Sequence, residues 1–291
     1  MFTATVIAAD SLRPGDVSAL ADRLASVATV TGRSIVEAGS AIDLNFEGDP
    51  ASVRAALENA EPGIDIVVQK TAERQRSLIV ADMDSTMITV ECIDELADYA
   101  GIKPQIAEIT ERAMRGELEF EGALRERVGL LGGLPEAVID QCLAERVEIM
   151  PGARALVRTI RARGGYAVLV SGGFTRFAEP VGREIGFDRV VANRLGIDRG
   201  TLTGTVEGEI VGAAAKRAAL LAAQAERGLA DAHTLAVGDG ANDIPMIEAA
   251  GLGLAYRAKP KTRAAAAASI THGDLSAILF AMGIPRRDWA G

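Results

Sequence analysis

Five short apolar runs, SLIVAD, YAVLVSGG, RVVAN, HTLAVGDG and LGLAY, recur between residues 77 and 256, most of them separated by stretches with the apolar spacing of helices. A strand that is apolar on both faces must be covered on both faces, and helices returning between such strands do this in a parallel sheet. The pattern predicts an α/β fold built on a Rossmann-like parallel sheet. In open sheets of this kind ligands sit at the carboxyl ends of the strands. Three of the runs lead there into polar or glycine-rich tails: DMDST (residues 82–86), SGGFT (171–175) and GDGAND (238–243).

Two segments depart from the alternation. Residues from about 91 to 149 read as helix after helix (IDELADYAG, KPQIAEITERAMRG, EFEGALRERVGLL, PEAVIDQCLAERV), an insertion after the first strand expected to lie over that edge of the sheet as a cap. Residues 1–70 run TATVIA, VSALADRLASV, RSIVEAG, AIDLNF, ASVRAALENA and IDIVVQ, the βαββαβ order of a ferredoxin-like α+β unit. The charged stretch KTAERQRS (70–77) is the expected boundary, dividing the chain into residues 1–72 and 73–291.

Apolar residues make up 48% of the chain and charged residues 24%, with a formal net charge of -9. That is a globular composition without a basic field for nucleic acid or an anionic membrane, so any anionic ligand must be held by local groups. The first sixteen residues, MFTATVIAADSLRPGD, lack the basic and apolar regions of a secretory signal. The alanine run 264–268 is too short to span a bilayer. Cys92 and Cys142 stand far apart without metal-ligand company, which fits inert thiols in a reduced, cytoplasmic setting.

Asp82 and Asp84 share a face if the strand persists. Two carboxylates so close disfavour each other's ionisation. The arrangement suits a nucleophile beside a general acid and base, with a divalent cation relieving the repulsion. An isolated pair of this kind serves equally as a helix cap. Gly172 in SGGFT lets backbone N–H groups approach an anion, and the Ser171 hydroxyl completes a phosphate cradle; ordinary turn chemistry uses the same letters. Lys216 falls in the first turns of a helical stretch, opposing the helix dipole at a cost of ~0.3–1 kcal/mol, and so calls for a local anion. Asp239, Asn242 and Asp243 crowd a glycine-rich turn, an oxygen-ligand set suited to Mg2+. The acids of both motifs gather at strand ends of one sheet.

The set DMDST, SGGFT, Lys216 and GDGANDIPMI, in that order, resembles the haloacid dehalogenase-type phosphohydrolases over roughly residues 77–291. With TVECIDELA (89–97) and LEFEGALRERVGLL (118–131), the chain resembles the branch of that family that hydrolyses O-phospho-L-serine to L-serine and phosphate, the last step of serine biosynthesis. Met83 stands where that family more usually has Phe, a spacer expected to face the core. The resemblance implies Asp82 as nucleophile, forming an aspartyl-phosphate, and Asp84 as general acid and then base. It implies Mg2+ on the carboxylates of Asp82 and Asp239 and the backbone carbonyl of Asp84, with Asp243 supporting that shell. Ser171, the Gly172 N–H, Lys216 and Asn242 would hold the phosphoryl group.

Phosphoserine carries an ammonium and a carboxylate beyond the phosphate. The family resemblance gives Glu91 as the ammonium partner. For the carboxylate, Arg127 lies about 20° from Phe120 around the helix, on the apolar stripe, while Arg125 lies about 140° away on the outer side. An Arg on the apolar face needs a buried partner or a ligand, and the resemblance also selects Arg127, with Phe120 and Met114 shielding the pocket. The amino-terminal order resembles the ACT type of small-molecule-binding domain, which suggests serine feedback, or packing and a homodimer through this domain. Two other readings remain open at this level: a phosphotransferase passing the phosphoryl group to homoserine, and a non-catalytic amino-acid-sensing module.

Overall fold

The computed structural model describes residues 1–58, 60–114 and 117–291; Asn59, Arg115 and Gly116, and the side chain of Met114, lie outside the described residues, including the ends of two expected helices and one expected shield of the pocket. In chain order the elements are β1 (Phe2–Ala8), α1 (Pro14–Ala25), β2 (Thr29–Glu37), β3 (Ala41–Glu47), α2 (Pro50–Leu57), β4 (Ile64–Lys70) and β5 (Leu78–Ala81). There follow α3 (Cys92–Tyr99), α4 (Lys103–Met114), α5 (Phe120–Leu130), α6 (Ala137–Arg146), α7 (Ala153–Ala162), β6 (Tyr166–Phe174), α8 (Thr175–Ile185), β7 (Arg189–Asp198) and β8 (Thr201–Glu207). The chain closes with α9 (Ala213–Glu226), β9 (Thr234–Gly238), α10 (Ile244–Ala249), β10 (Leu252–Tyr256), α11 (Pro260–Ala265), β11 (Ala268–Ile270) and α12 (Ala277–Ala281).

The amino-terminal strands pair antiparallel in the order β2-β3-β1-β4. Alternation sends Ala4, Val6, Leu44, Phe46 and Ile66 to one face, where Leu20 and Leu24 of α1 and Val53 and Leu57 of α2 bury them. The other face carries Thr5, Asp43, Asp65, Val67 and Gln69, and it packs on the rest of the chain. There Asp43 accepts two bonds from Arg74, at 2.6 and 3.0 Å, and Gln69 donates to the Ala281 carbonyl at 2.8 Å. Asp65 accepts the backbone N–H groups of Thr271, His272 and Gly273.

The second sheet has the order β11-β10-β9-β5-β6-β7-β8 and is parallel except for β7 with β8. β5 and β9 are wholly buried, as their continuous apolar runs require. β8 and β11 extend the five strands expected from sequence. A tight turn with Arg199 at φ 49° and Gly200 at φ 77° returns the chain into β8, the geometry that hairpin twist favours.

Helices α3 to α6 form the cap. β5 lies inside the sheet between β9 and β6, so the cap does not sit at a lateral edge. Its two stems meet through Thr89 N–H to the Glu148 carbonyl at 3.0 Å and Met150 N–H to the Met87 carbonyl at 2.9 Å. Its far end is fastened to β8 by backbone bonds from Gly133 N–H to the Leu202 carbonyl at 2.8 Å and from Leu202 N–H to the Leu134 carbonyl at 2.9 Å. A Cβ on Gly204 would stand 3.0 Å from the Gly129 carbonyl oxygen, so only a bare backbone lets α5 approach this closely. No helix among the described residues is long and apolar enough to cross a membrane.

Candidate active site

β5 delivers Asp82. Its N–H donates to the Val237 carbonyl at 2.9 Å, continuing the ladder to β9 by one residue, so the carboxylate emerges where two central strands end. The chain then turns tightly: the Met83 carbonyl accepts the N–H groups of Thr86, Met87 and Ile88 at 3.2, 2.8 and 3.0 Å. Met83 itself is fully buried, in agreement with a core-facing spacer. Asp84 accepts the N–H of Cys92, the first residue of α3, at 3.3 Å. Its other oxygen packs on the SGGFT segment, where a Cβ on Gly173 would lie 2.8 Å from it.

SGGFT ends β6 and starts α8, and the β6–β7 register shifts across it. Ser171 is fully buried, its Oγ accepting the Gly173 N–H at 2.8 Å. Asn193, on β7, donates to the Gly172 carbonyl at 2.8 Å and accepts the Val211 N–H at 2.8 Å, which fixes the orientation of the glycine peptide. This asparagine is absent from the residues singled out by sequence. Its signal was a polar residue closing the apolar run RVVAN, at the same level of the sheet as the other three tails. Asn242 reaches the same place, its Nδ2 3.9 Å from where a Gly172 Cβ would stand, and the Phe120 ring tip is 3.2 Å from that point.

Lys216, in the second turn of α9, is fully buried and places Nζ 2.6 Å from Asp82 Oδ1 and 2.6 Å from Asp243 Oδ1. The anion expected from its place in the helix is therefore a pair of carboxylates. Asp243 also accepts the Gly240 N–H at 2.9 Å through its other oxygen, which occupies both of its oxygens within the fold. Asp239 is less committed, taking the Thr86 hydroxyl at 3.2 Å. Carboxylate oxygens of Asp82, Asp239 and Asp243 lie within 4.8 Å of one another. An oxygen-only donor set of this compactness fits a hard divalent cation such as Mg2+. Among the described residues no soft or imidazole donor joins this group.

One lysine does not balance this many acids. Burial, then Asp243, pushes Asp82 well above the usual carboxylate range against the pull of Lys216. Burial, then Glu91, raises Asp84 to about 7. Burial, then Asp243 and Glu91, raises Asp239 to about 6. Burial depresses Lys216, but Asp82 and Asp243 together more than reverse this and its ammonium is held charged. The site thus retains protons that a cation would displace.

On the cap, Arg127 is half-buried and Arg125 exposed, as the helix angles require. Arg127 donates to the Ala123 carbonyl at 3.3 Å, and burial lowers its pKa against the fields of Asp94, Glu91 and Asp84. Glu91 is exposed at the start of α3 and accepts the Ser85 hydroxyl at 2.6 Å.

Residues 79–248 match the family model of haloacid dehalogenase-like hydrolases. The phosphoserine phosphatase SerB2 of Mycobacterium tuberculosis is 46% identical over 239 residues, which cover 81% of this chain and 58% of that one. The chain therefore spans a little under three fifths of that relative's length. A phosphoserine phosphatase of Streptococcus thermophilus is 47% identical over 204 residues, 70% of this chain and 94% of the relative. Among solved structures, a probable phosphoserine phosphatase from Vibrio cholerae, in unliganded form, superposes with a TM-score of 0.78 at 34% identity, covering 96% of this chain and 87% of that one.

Proposed function

The chain belongs to the haloacid dehalogenase-like hydrolases, and from that membership we propose that it is a phosphoserine phosphatase, hydrolysing O-phospho-L-serine to L-serine and phosphate. The observation that carries the reading is the buried Lys216 bridging Asp82 and Asp243 beside Asp84 and Asp239, a corner that with a divalent cation can receive a phosphoryl group. Relatives 46% and 47% identical to this chain carry the same activity in their names.

In this reading a carboxylate oxygen of Asp82 attacks phosphorus. The ester bond to the serine oxygen breaks, and Asp84 gives that oxygen its proton. Asp84, now ionised, takes a proton from water, whose oxygen attacks the aspartyl-phosphate and releases phosphate with Asp82 restored. The raised pKa of Asp84 supports its arriving protonated. Ser171, the Gly172 N–H, Lys216 and Asn242 hold the phosphoryl oxygens. The carboxylates of Asp82 and Asp239 and the Asp84 carbonyl, supported by Asp243, would hold Mg2+, which would supply positive charge for the phosphoryl group. Glu91 takes the ammonium and Arg127 the carboxylate of the substrate, with Phe120 covering them.

Residues 1–72 form, in the same reading, an ACT-like domain that serves packing and a homodimer. The outer strand β2 with Val30 and Ile35 exposed supports this. Two buried free thiols accord with a cytoplasmic setting. Deleting residues 1–72 tests this domain's role through oligomer size and serine inhibition.

The activity is tested by phosphate release across a panel of phosphorylated metabolites with Mg2+. Preference for phosphoserine is expected. No turnover of any phosphomonoester would instead identify a sensing module, and phosphohomoserine formed on adding homoserine would identify a phosphotransferase.

A further inference from the structure

Glu91 is not left to find its own position. Ser85, the residue after Asp84, has a left-handed backbone with φ 54°, a conformation that costs an ordinary side chain free energy and persists where its surroundings impose it. The tight turn around the Met83 carbonyl imposes it, and Ser85 N–H adds a bond to the Val90 carbonyl at 3.2 Å. The product of this turn is the direction of one hydroxyl, which donates to Glu91 Oε1 at 2.6 Å. Glu91 precedes α3 but its side chain makes no capping bond to that helix, so the hydroxyl orients an otherwise exposed acid. The donor is neutral. It fixes the carboxylate without cancelling its charge, which an Arg or Lys in its place would do, and leaves Oε2 for a cationic ligand. The fields of Glu91 on Asp84, Asp239 and Arg127 are consistent with its carboxylate standing over the site.

We propose that Ser85 is a positioning residue for substrate choice: its hydroxyl, aimed by the left-handed turn, presents Glu91 to the ammonium of an amino-acid phosphoester. The inference rests on the phosphoserine reading above. It assigns to the serine beside the catalytic pair a role in recognition rather than in the chemistry.

The test compares kcat/KM for O-phospho-L-serine with kcat/KM for 3-phosphoglycerate, which has a hydroxyl in place of the ammonium. Ser85→Ala removes the hydroxyl and keeps the strain, whereas Ser85→Gly removes both and tolerates φ 54°. The ratio of the two constants is expected to fall by about tenfold in both variants, chiefly through KM for phosphoserine. In a Glu91→Gln background, Ser85→Gly should leave the ratio where Glu91→Gln alone puts it. Equal losses on both esters, an unchanged ratio, or a fall in Ser85→Ala that Ser85→Gly does not share would overturn the proposal. A wild type that does not prefer phosphoserine to 3-phosphoglycerate would overturn the substrate reading itself, so the two failures are distinguished by the unmutated enzyme.

Discussion

Lys216 Nζ stands 2.6 Å from Asp82 Oδ1 with the lysine wholly removed from solvent. An ammonium shared by two carboxylates eases their burial, and a divalent cation is needed before this acidic corner can receive a further anion. Lys216→Met should lower turnover by about 10²–10³, the usual effect of removing one preorganised charge. It should also cost about 3 kcal/mol of unfolding free energy, because the buried Asp82 and Asp243 lose their shared ammonium. Steady-state kinetics and denaturant unfolding measure the two effects.

The protonated acids give metal binding a pH dependence with a definite sign. Asp84 and Asp239 are raised to about 7 and about 6, and Asp82 is raised as well. A carboxyl group whose pKa rises on folding contributes stability below its unfolded value of about 3.9 and loses it as pH climbs through the folded value. The metal-free protein should therefore lose stability from this site between about pH 4 and about pH 7, the interval from the unfolded value to the folded values of Asp239 and Asp84. Mg2+ competes with those protons, so the rise in Tm on replacing EDTA by MgCl2 should grow across the same range. A shift that shrinks with pH would contradict the assignment of these acids.

Arg127 and Arg125 are separated by their faces of α5, half-buried and exposed. Losing a charge-assisted bond to the substrate carboxylate costs about 1.5–3 kcal/mol. Arg127→Ala should therefore reduce the preference for phosphoserine over phosphoethanolamine by about 10–100-fold. Arg125→Ala should leave that preference in place. Retention of the preference in Arg127→Ala would show that another cation reads the carboxylate.

The amino-terminal sheet is fastened to the body through Asp65, 3% exposed, whose carboxylate gathers three consecutive backbone N–H groups. Asp65→Ala strands these donors and should destabilise the protein by about 2–4 kcal/mol, each unsatisfied buried group costing about 1–3. Differential hydrogen exchange should show the loss first in residues 268–284 and in β4.

The strands that carry the site were readable because burial on both faces leaves continuous apolar runs, and each run that surfaces in acids or glycine marks a strand end. Asp82, Asp84, Ser171 and Asp239 came from that pattern, and Lys216 from its place opposing a helix dipole. β8 was not read: its TLTGTVE alternates weakly, and its place is set by the turn at Arg199 and Gly200. Asn193 and Ser85 escaped for another reason. Their work is to bond a distant carbonyl or a neighbouring carboxylate in a particular direction, which depends on the bulge in β6 and on a positive φ at residue 85. The polar face of the amino-terminal sheet, with Asp43 and Asp65 inside a strand, is a two-sided pattern whose meaning appears only once the partner surface is in place.

In the proposed reaction the carboxylate of Asp82 briefly carries phosphorus. Rapid acid quench during turnover of phosphoserine, followed by peptide mass mapping, should find one phosphoryl group on Asp82. In Asp82→Asn both the label and the turnover should be absent. Turnover surviving that substitution, or a label on any other side chain, would contradict it.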